Sequence, residues 1–225
     1  MHHDDTGNMG TEGTEQSPNA NRKAGKLNTY KFLGEKRLTI PENVEILLQN
    51  GAKIKGPCIL EEGVKINDYA IVESSYIGEN CIIDANSIII DSSLERNNTI
   101  SSGANIRSCM ILENSNIYYN STIVESIIGR NVTIGIGVRI PCRRLKALKE
   151  GRAIDKKVTF FSDNGVKRID SFGAIVGDYC QIGSGSIIHP GRKIGKLSRI
   201  DSNSQVIKNV PPNSIITHER NSKEV

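Results

Sequence analysis

From Ile54 to Ile140 a branched aliphatic side chain returns every five or six residues. The positions run Ile54, Leu60, Ile66, Val72, Ile77, Ile83, Ile89 and Leu94, then Ile100, Ile106, Ile111, Ile117, Ile123, Ile128, Ile134 and Ile140. The steps are six, six, six, and then five, six, six repeated four times. Neither the 3.6 period of a helix nor the simple alternation of one strand gives that interval. A small or short side chain stands two residues before most of these aliphatics, as at Ala52, Cys58, Ala70, Ser75, Cys81 and Ser87. Residues two apart in a strand face the same side. Each hexad therefore offers one small and one large inward side chain, and three hexads close one turn of a triangular solenoid. Coils of this kind stack about 4.8 Å apart through backbone hydrogen bonds. No coil buries its inner face alone, so many must stack.

The five-residue step falls on one side of the prism and shortens a coil from 18 residues to 17. Ser75, Ser92, Cys109 and Ser126, each 17 apart, are thus expected to stack as a ladder. A second run, Val176, Ile182, Ile188, Ile194, Ile200 and Val206, keeps a step of six throughout. Its small partners include Ala174, Cys180 and Ser186, but Arg192 breaks the rule and must point elsewhere or mark a bent corner. The fold expected is a parallel β-helix.

Between the runs, residues 141–172 lose the hexad and read as an insertion. Residues 143–150 allow a short helix. KKVTFFSDNGVKRI reads as a hairpin turning at Asp163-Asn164-Gly165. The polar N-terminus, residues 1–26, reads as a disordered tail, residues 27–216 as the folded unit, and residues 217–225 as a polar tail. The two Pro residues of NVPPNSI stop the repeat, since they cannot donate to another coil.

Composition narrows the function. Trp is absent and Phe occurs only four times, so branched aliphatics must build the core. A net charge of +4 sets up no global field for nucleic acid, and aromatic residues do not alternate with the basic ones as single-strand binders require. There is no apolar signal segment and no run of 18 apolar residues, so no membrane partner is expected. Zinc-ligand spacing and a P-loop are also missing. Five Cys occur without a Cys-x-x-Cys pair, which fits a reducing, cytoplasmic setting. Four of them, Cys58, Cys81, Cys109 and Cys180, take the small inward position and read as packed thiols.

The small-x-aliphatic hexads, with IGENC, IGRNV and IGSGS at the corners, resemble the hexapeptide-repeat proteins. That resemblance implies a left-handed parallel β-helix, against the usual right-handed crossover, and a homotrimer of side-by-side prisms. NGAKIKGPCILEEGVKI and FGAIVGDYCQIGSGSIIHPGRKIGKLSRIDSNSQVIKNVPPNSI are similar to the C-terminal half of archaeal sugar-1-phosphate nucleotidylyltransferases. These include enzymes resembling the bifunctional N-acetylglucosamine-1-phosphate uridylyltransferases. Their nucleotide-binding domain opens with an L-x-G-G-x-G-T-R signature that this sequence does not contain, so nucleotidyl transfer by this chain alone is not expected.

The activity the resemblance leaves is acyl transfer from acetyl-CoA to a sugar phosphate. Such chemistry needs a base, donors for the thioester oxyanion and cations for coenzyme A phosphates. Where relatives carry an N-L-R-H-like stretch, this chain reads Cys142-Arg143-Arg144-Leu145, so Leu145 replaces the expected basic His. His189, one past the inward Ile188, becomes the candidate catalytic base, with a surface His before a Pro turn as the plain alternative. Arg143 and Arg144 are the candidate substrate-binding residues. Gly183, Gly185, Arg192, Lys193 and Lys196 are the candidates for binding coenzyme A, Lys193 falling on a Lys of the archaeal relatives. From Arg139 to Arg168 ten Lys and Arg face three acids, which serves either phosphate binding or solvation. A second hypothesis is a non-catalytic trimerisation or regulatory subunit partnered with a separate nucleotidylyltransferase chain.

Overall fold

The computed structural model describes residues 31–33, 36–39, 47–144, 147–149, 152–154, 157–162 and 165–217. The expected tail over residues 1–26 lies outside them. Nearly all of the chain that is described winds as a three-sided parallel β-helix of about nine turns. The chain visits the faces in a fixed order. Face one contains Cys58–Leu60 and Tyr76–Ile77, face two Lys65–Ile66 and Ile82–Ile83, and face three Ile71–Glu73 and Ile88–Ile90. At the start, Lys36–Thr39 adds parallel to Cys58–Leu60 and pairs on its other edge with Lys31–Leu33 in an antiparallel hairpin.

The register follows the aliphatic spacing. Val72 pairs with Ile89 and Ile89 with Ile106 on face three, while Ile83, Ile100 and Ile117 pair in succession on face two. Every one of these side chains is fully buried. Burying each contributes about 1.5–3 kcal/mol relative to exposure, so the axial stack of isoleucines is the main source of stability. Register survives the insertion, since Ile128 pairs with Val176 and Ile134 with Ile182.

Corners need a left-handed residue, and the sequence supplies it. Between faces one and two, Asn80, Asn97, Asn114 and Asn131 take φ of 55°, 59°, 60° and 54°, a region that Asn tolerates well. The third corner, between faces three and one, is the one shortened to five residues. Ser74, Asp91, Ser108 and Glu125 turn it with φ of 48°, 49°, 52° and 46°.

The expected ladder stands just inside this trimmed corner. Ser75 Oγ donates to the Glu73 carbonyl at 2.7 Å and accepts from the Ser92 amide at 3.1 Å. Ser92 Oγ donates to the Ile90 carbonyl at 2.7 Å and accepts from the Cys109 amide at 3.1 Å. Ser126 Oγ accepts from the Ala174 amide at 3.0 Å, carrying the ladder over the insertion. Ser115 and Ser121 accept the next coil's amide in the same way at the full-length corners, at 3.0 and 3.3 Å, but they donate to the next coil, whereas the hydroxyls of the trimmed corner donate back to their own coil.

The insertion leaves and rejoins at this same corner. It carries two antiparallel hairpins, Ala147–Lys149 with Arg152–Ile154 and Val158–Ser162 with Gly165–Ile169. The short helix expected over 143–150 is not formed by the described residues, which are extended at Ala147–Lys149. Eight residues are too few for a free-standing helix, whereas pairing Lys149 with Arg152 satisfies the backbone across a two-residue connection. No helix among the described residues is long and apolar enough to cross a membrane.

Candidate functional site

The trimmed corner ends where the insertion begins, and the two are tied by backbone bonds. The Phe172 amide donates to the Cys142 carbonyl at 2.8 Å, and the Gly173 amide to the Glu125 carbonyl at 2.8 Å. The Gly191 amide donates to the Gly173 carbonyl at 2.6 Å and to the Phe172 carbonyl at 3.1 Å. A side chain at position 173 would overlap Ser126 Oγ and the Val124 carbonyl, so only Gly lets the returning strand lie this close.

Arg192 holds the insertion from above. Its backbone sits in register with Ala174, at an inward small position, yet its side chain is long and only 7% of the residue is exposed. The guanidinium reaches out to three carbonyls, donating to Thr159 at 3.3 Å, Ile207 at 3.4 Å and Pro190 at 3.4 Å. Burial, and next the neighbouring Arg144 charge, push its pKa below the usual value. The bond to Thr159, with Val158 fully buried against Gly191, docks the second hairpin on the last coils.

Below this root the shortened turns leave a groove of about 610 Å³ along the corner. Ser74, Asp91, Ser108 and Glu125 line it, Met110 and Ile127 form the wall on face one, and Phe172 closes its head. Cys142 stands at that head, its thiol pushed up by burial and then by the adjacent Glu125 carboxylate. The other four thiols are buried and donate to carbonyls, for example Cys81 to Glu95 at 3.0 Å and Cys180 to Gly195 at 3.1 Å. Burial raises Cys81 and Cys109 to about 11, which makes them inert packing groups. No three His, Cys, Asp or Glu among the described residues are grouped to hold a metal ion.

The residues singled out in the sequence are divided among the corners. His189, half-buried and bonded through its amide to the Val206 carbonyl at 3.0 Å, lies at the corner where the insertion is rooted. Arg143, Arg144 and Arg192 lie there too. Lys193 follows on face one, opposite Ile175. Lys196 lies one corner further on, between faces one and two, and Gly183 and Gly185 lie at the corner between faces two and three. Gly183 packs against the backbone of Ser202 in the coil above, and Gly185 has φ of 71°, so both are explained by coil packing. One chain therefore gathers His189 with Arg143, Arg144 and Arg192, and sets Gly183, Gly185 and Lys196 apart from them.

Two features escaped the sequence reading. Asp91 and Glu125 were not singled out, although each directly precedes a ladder residue and shares its 17-residue spacing. The hexad spacing marks Arg192 as an exception that must point elsewhere, but its three carbonyl partners, which make it the clasp of the insertion, are visible only in the structure.

The model of the family described as GlmU-like, C-terminal hexapeptide matches residues 65–169, which is 105 of 225 residues. Among solved structures, the UDP-N-acetylglucosamine O-acyltransferase of Moraxella catarrhalis RH4 is similar at 16% identity. That match covers 75% of this chain and 66% of that one, with a TM-score of 0.47. The UDP-N-acetylglucosamine acyltransferase of Arabidopsis is 18% identical over 81% of this chain and 70% of its own, with a TM-score of 0.39. A hexapeptide-repeat acetyltransferase of Vibrio cholerae O1 biovar eltor, complexed with acetyl coenzyme A, is 15% identical. There the coverage is 75% of this chain and 63% of that one, and the TM-score is 0.29. The chain spans about two thirds of the length of these proteins. No protein with a curated description matches it.

Proposed function

We propose that this chain is an acyltransferase that moves the acetyl group of acetyl-CoA to a sugar phosphate acceptor, working as a homotrimer. The observation that carries the reading is the root of the insertion. The GlmU-like family model matches the prism as far as residue 169, and the coil that follows brings His189 to the same corner as Arg143 and Arg144. In the step proposed, an acceptor amine or hydroxyl attacks the thioester carbonyl. His189 takes the proton from the attacking atom, and coenzyme A leaves as the thiol. Arg143 and Arg144 hold the acceptor phosphate. Because Arg192 is committed to three carbonyls, binding of the coenzyme A phosphates falls to Lys193 and Lys196. Lys193, on face one, and Lys196, at the corner that follows it, lie apart from Gly183 and Gly185, so a complete site needs a neighbouring prism.

Coenzyme A at 100 times its dissociation constant should stabilise the protein by about 2.7 kcal/mol, read as a thermal shift. His189→Ala should lower acetyl transfer by about 10²–10⁴-fold, and unchanged transfer would remove it from the mechanism. Sedimentation should give three times the 24.6 kDa chain mass. The second reading is a non-catalytic trimerisation or regulatory subunit of a sugar-1-phosphate nucleotidylyltransferase. It is favoured by Leu145 standing where relatives carry the basic His. No thermal shift at millimolar coenzyme A, with co-purification of a nucleotidylyltransferase chain, would select it.

A further inference from the structure

The groove along the trimmed corner has a lining that restricts what it accepts. Its floor is built from the inward ladder, and those hydroxyls are already occupied. Ser75 and Ser92 each donate to a carbonyl of their own coil and accept an amide from the next. Ser126 does the same with the Val124 carbonyl and the Ala174 amide. Recognition is left to the rim, where Asp91 and Glu125 have no ion pair among the described residues and Glu125 already shares a hydrogen bond with the Cys142 thiol, and to the apolar wall of Met110, Ile127 and Phe172.

Carboxylates only accept hydrogen bonds, so the occupant must bring donors. The diphosphate of a nucleotide cofactor would meet like charge here and is disfavoured. The apolar wall asks for a carbon face as well. A saccharide ring has both, with hydroxyl or ammonium donors around its edge and C–H groups on its faces. From Ser74 to Glu125 the groove crosses three coil spacings, about 14 Å, enough for one ring and a substituent. The substituent has a charged neighbour at the head, because Arg143 directly follows Cys142, whose carbonyl accepts from the Phe172 amide at 2.8 Å.

We propose that the trimmed-corner groove is the saccharide subsite of the acceptor, with Phe172 and Met110 against the ring face, Asp91 and Glu125 taking its hydrogen-bond donors, and Arg143 facing its anionic substituent. This deepens the acyl-transfer reading and rests on it for the role of the sugar as acceptor. The five-residue step then has a functional consequence, since each turn shortened by one residue removes the backbone that would otherwise fill the space the ring occupies.

Glucosamine 6-phosphate, glucosamine and inorganic phosphate, titrated calorimetrically into the full chain, test this. Saturable binding of glucosamine 6-phosphate, tighter than that of phosphate alone, is expected. Met110→Arg, at a side chain 49% exposed, blocks the wall without touching the core and should weaken it at least tenfold. Phe172→Ala and Glu125→Gln should each weaken it severalfold, with coenzyme A binding unchanged in all three variants. Equal affinity for inorganic phosphate, or full affinity in Met110→Arg, overturns the subsite. If coenzyme A binds while no sugar does, the subsite falls and acyl transfer stands. If neither binds, both fall.

Discussion

Residues 72–140 and residues 141–210 are wound on the same prism but differ in charge and in turn length. The first stretch carries seven carboxylates against four cations, and every coil in it is shortened at one corner. The second carries fourteen cations against six carboxylates, keeps full six-residue steps in its coils, and contains the insertion. At the corner they share, the first has Ser75, Ser92, Cys109 and Ser126 in the small inward position, and the second has Ala174 followed by Arg192. One device follows from each. Shortening with a self-satisfied ladder yields an acidic groove, while full turns with a buried guanidinium yield a basic platform that holds a hairpin. The groove and the platform meet at Phe172, so the polarity of the corner reverses within a few residues of His189.

The largest effect expected comes from the feature the two stretches have in common. Ile106→Ala leaves a cavity in the fully buried stack and should cost about 2–5 kcal/mol, measured as a fall in the urea midpoint. Ile194→Ala in the upper coils should cost a similar amount. If only one of the two matters, the aliphatic stack is not continuous across the insertion.

The second effect is a pH dependence whose largest shifts lie in the first stretch. Cys81 and Cys109 are raised to about 11, whereas an unfolded thiol ionises near about 8.5. Between those values the folded chain holds more protons than the unfolded one, so stability falls as pH rises. It is fully present below about pH 8.5. The loss approaches about 3 kcal/mol per thiol near pH 11, at ~1.4 kcal/mol per unit. The double variant Cys81→Ser, Cys109→Ser should flatten the alkaline decline, because Ser already serves at positions 75, 92 and 126 in the column of Cys109 and at position 115 in the column of Cys81. Identical alkaline curves for the variant and the parent chain would remove thiol burial as the cause.

Most of the fold could be read from the sequence because the signal is inward-facing and periodic. Branched aliphatics at 17- or 18-residue spacing fix which residues stack, and Val72 under Ile89 follows without further information. The candidate site was less legible because its residues point outward, where spacing imposes no residue type. Asp91 and Glu125 matter through a cavity that exists only once four short turns are superimposed. Arg192 shows the limit most plainly. Its position in the hexad is inward, but its length lets the guanidinium leave the core and bond Thr159, 33 residues earlier in the chain. No local pattern encodes that contact.

A third variant tests the basic half of the comparison. Arg192→Met removes the donor to Thr159, Ile207 and Pro190. Since the bonds are long and the buried charge is itself costly, the net loss should be about 1–2 kcal/mol. The sharper readout is trypsin cleavage at Lys167 and Arg168, which should quicken in Arg192→Met and stay slow in Met110→Arg. Equal cleavage in both would show that packing of Val158, not the guanidinium, docks the hairpin.

The smallest effect sharpens the acidic half. Ser92→Ala deletes a hydroxyl that donates to the Ile90 carbonyl and accepts from the Cys109 amide. The amide is buried, so it loses its partner without gaining water, at a cost of about 1–2 kcal/mol. Ser108→Ala, one position before the ladder and exposed on the rim, should cost less than about 0.5 kcal/mol. Amide exchange gives a local reading, in which Cys109 should exchange faster in Ser92→Ala while its counterpart Ala174, held by Ser126, does not change. If Ser92→Ala leaves the Cys109 amide as protected as before, the shortened turn has another acceptor. The hydroxyl ladder would then be a consequence of small residues at the corner, and not the reason the corner tolerates losing a residue.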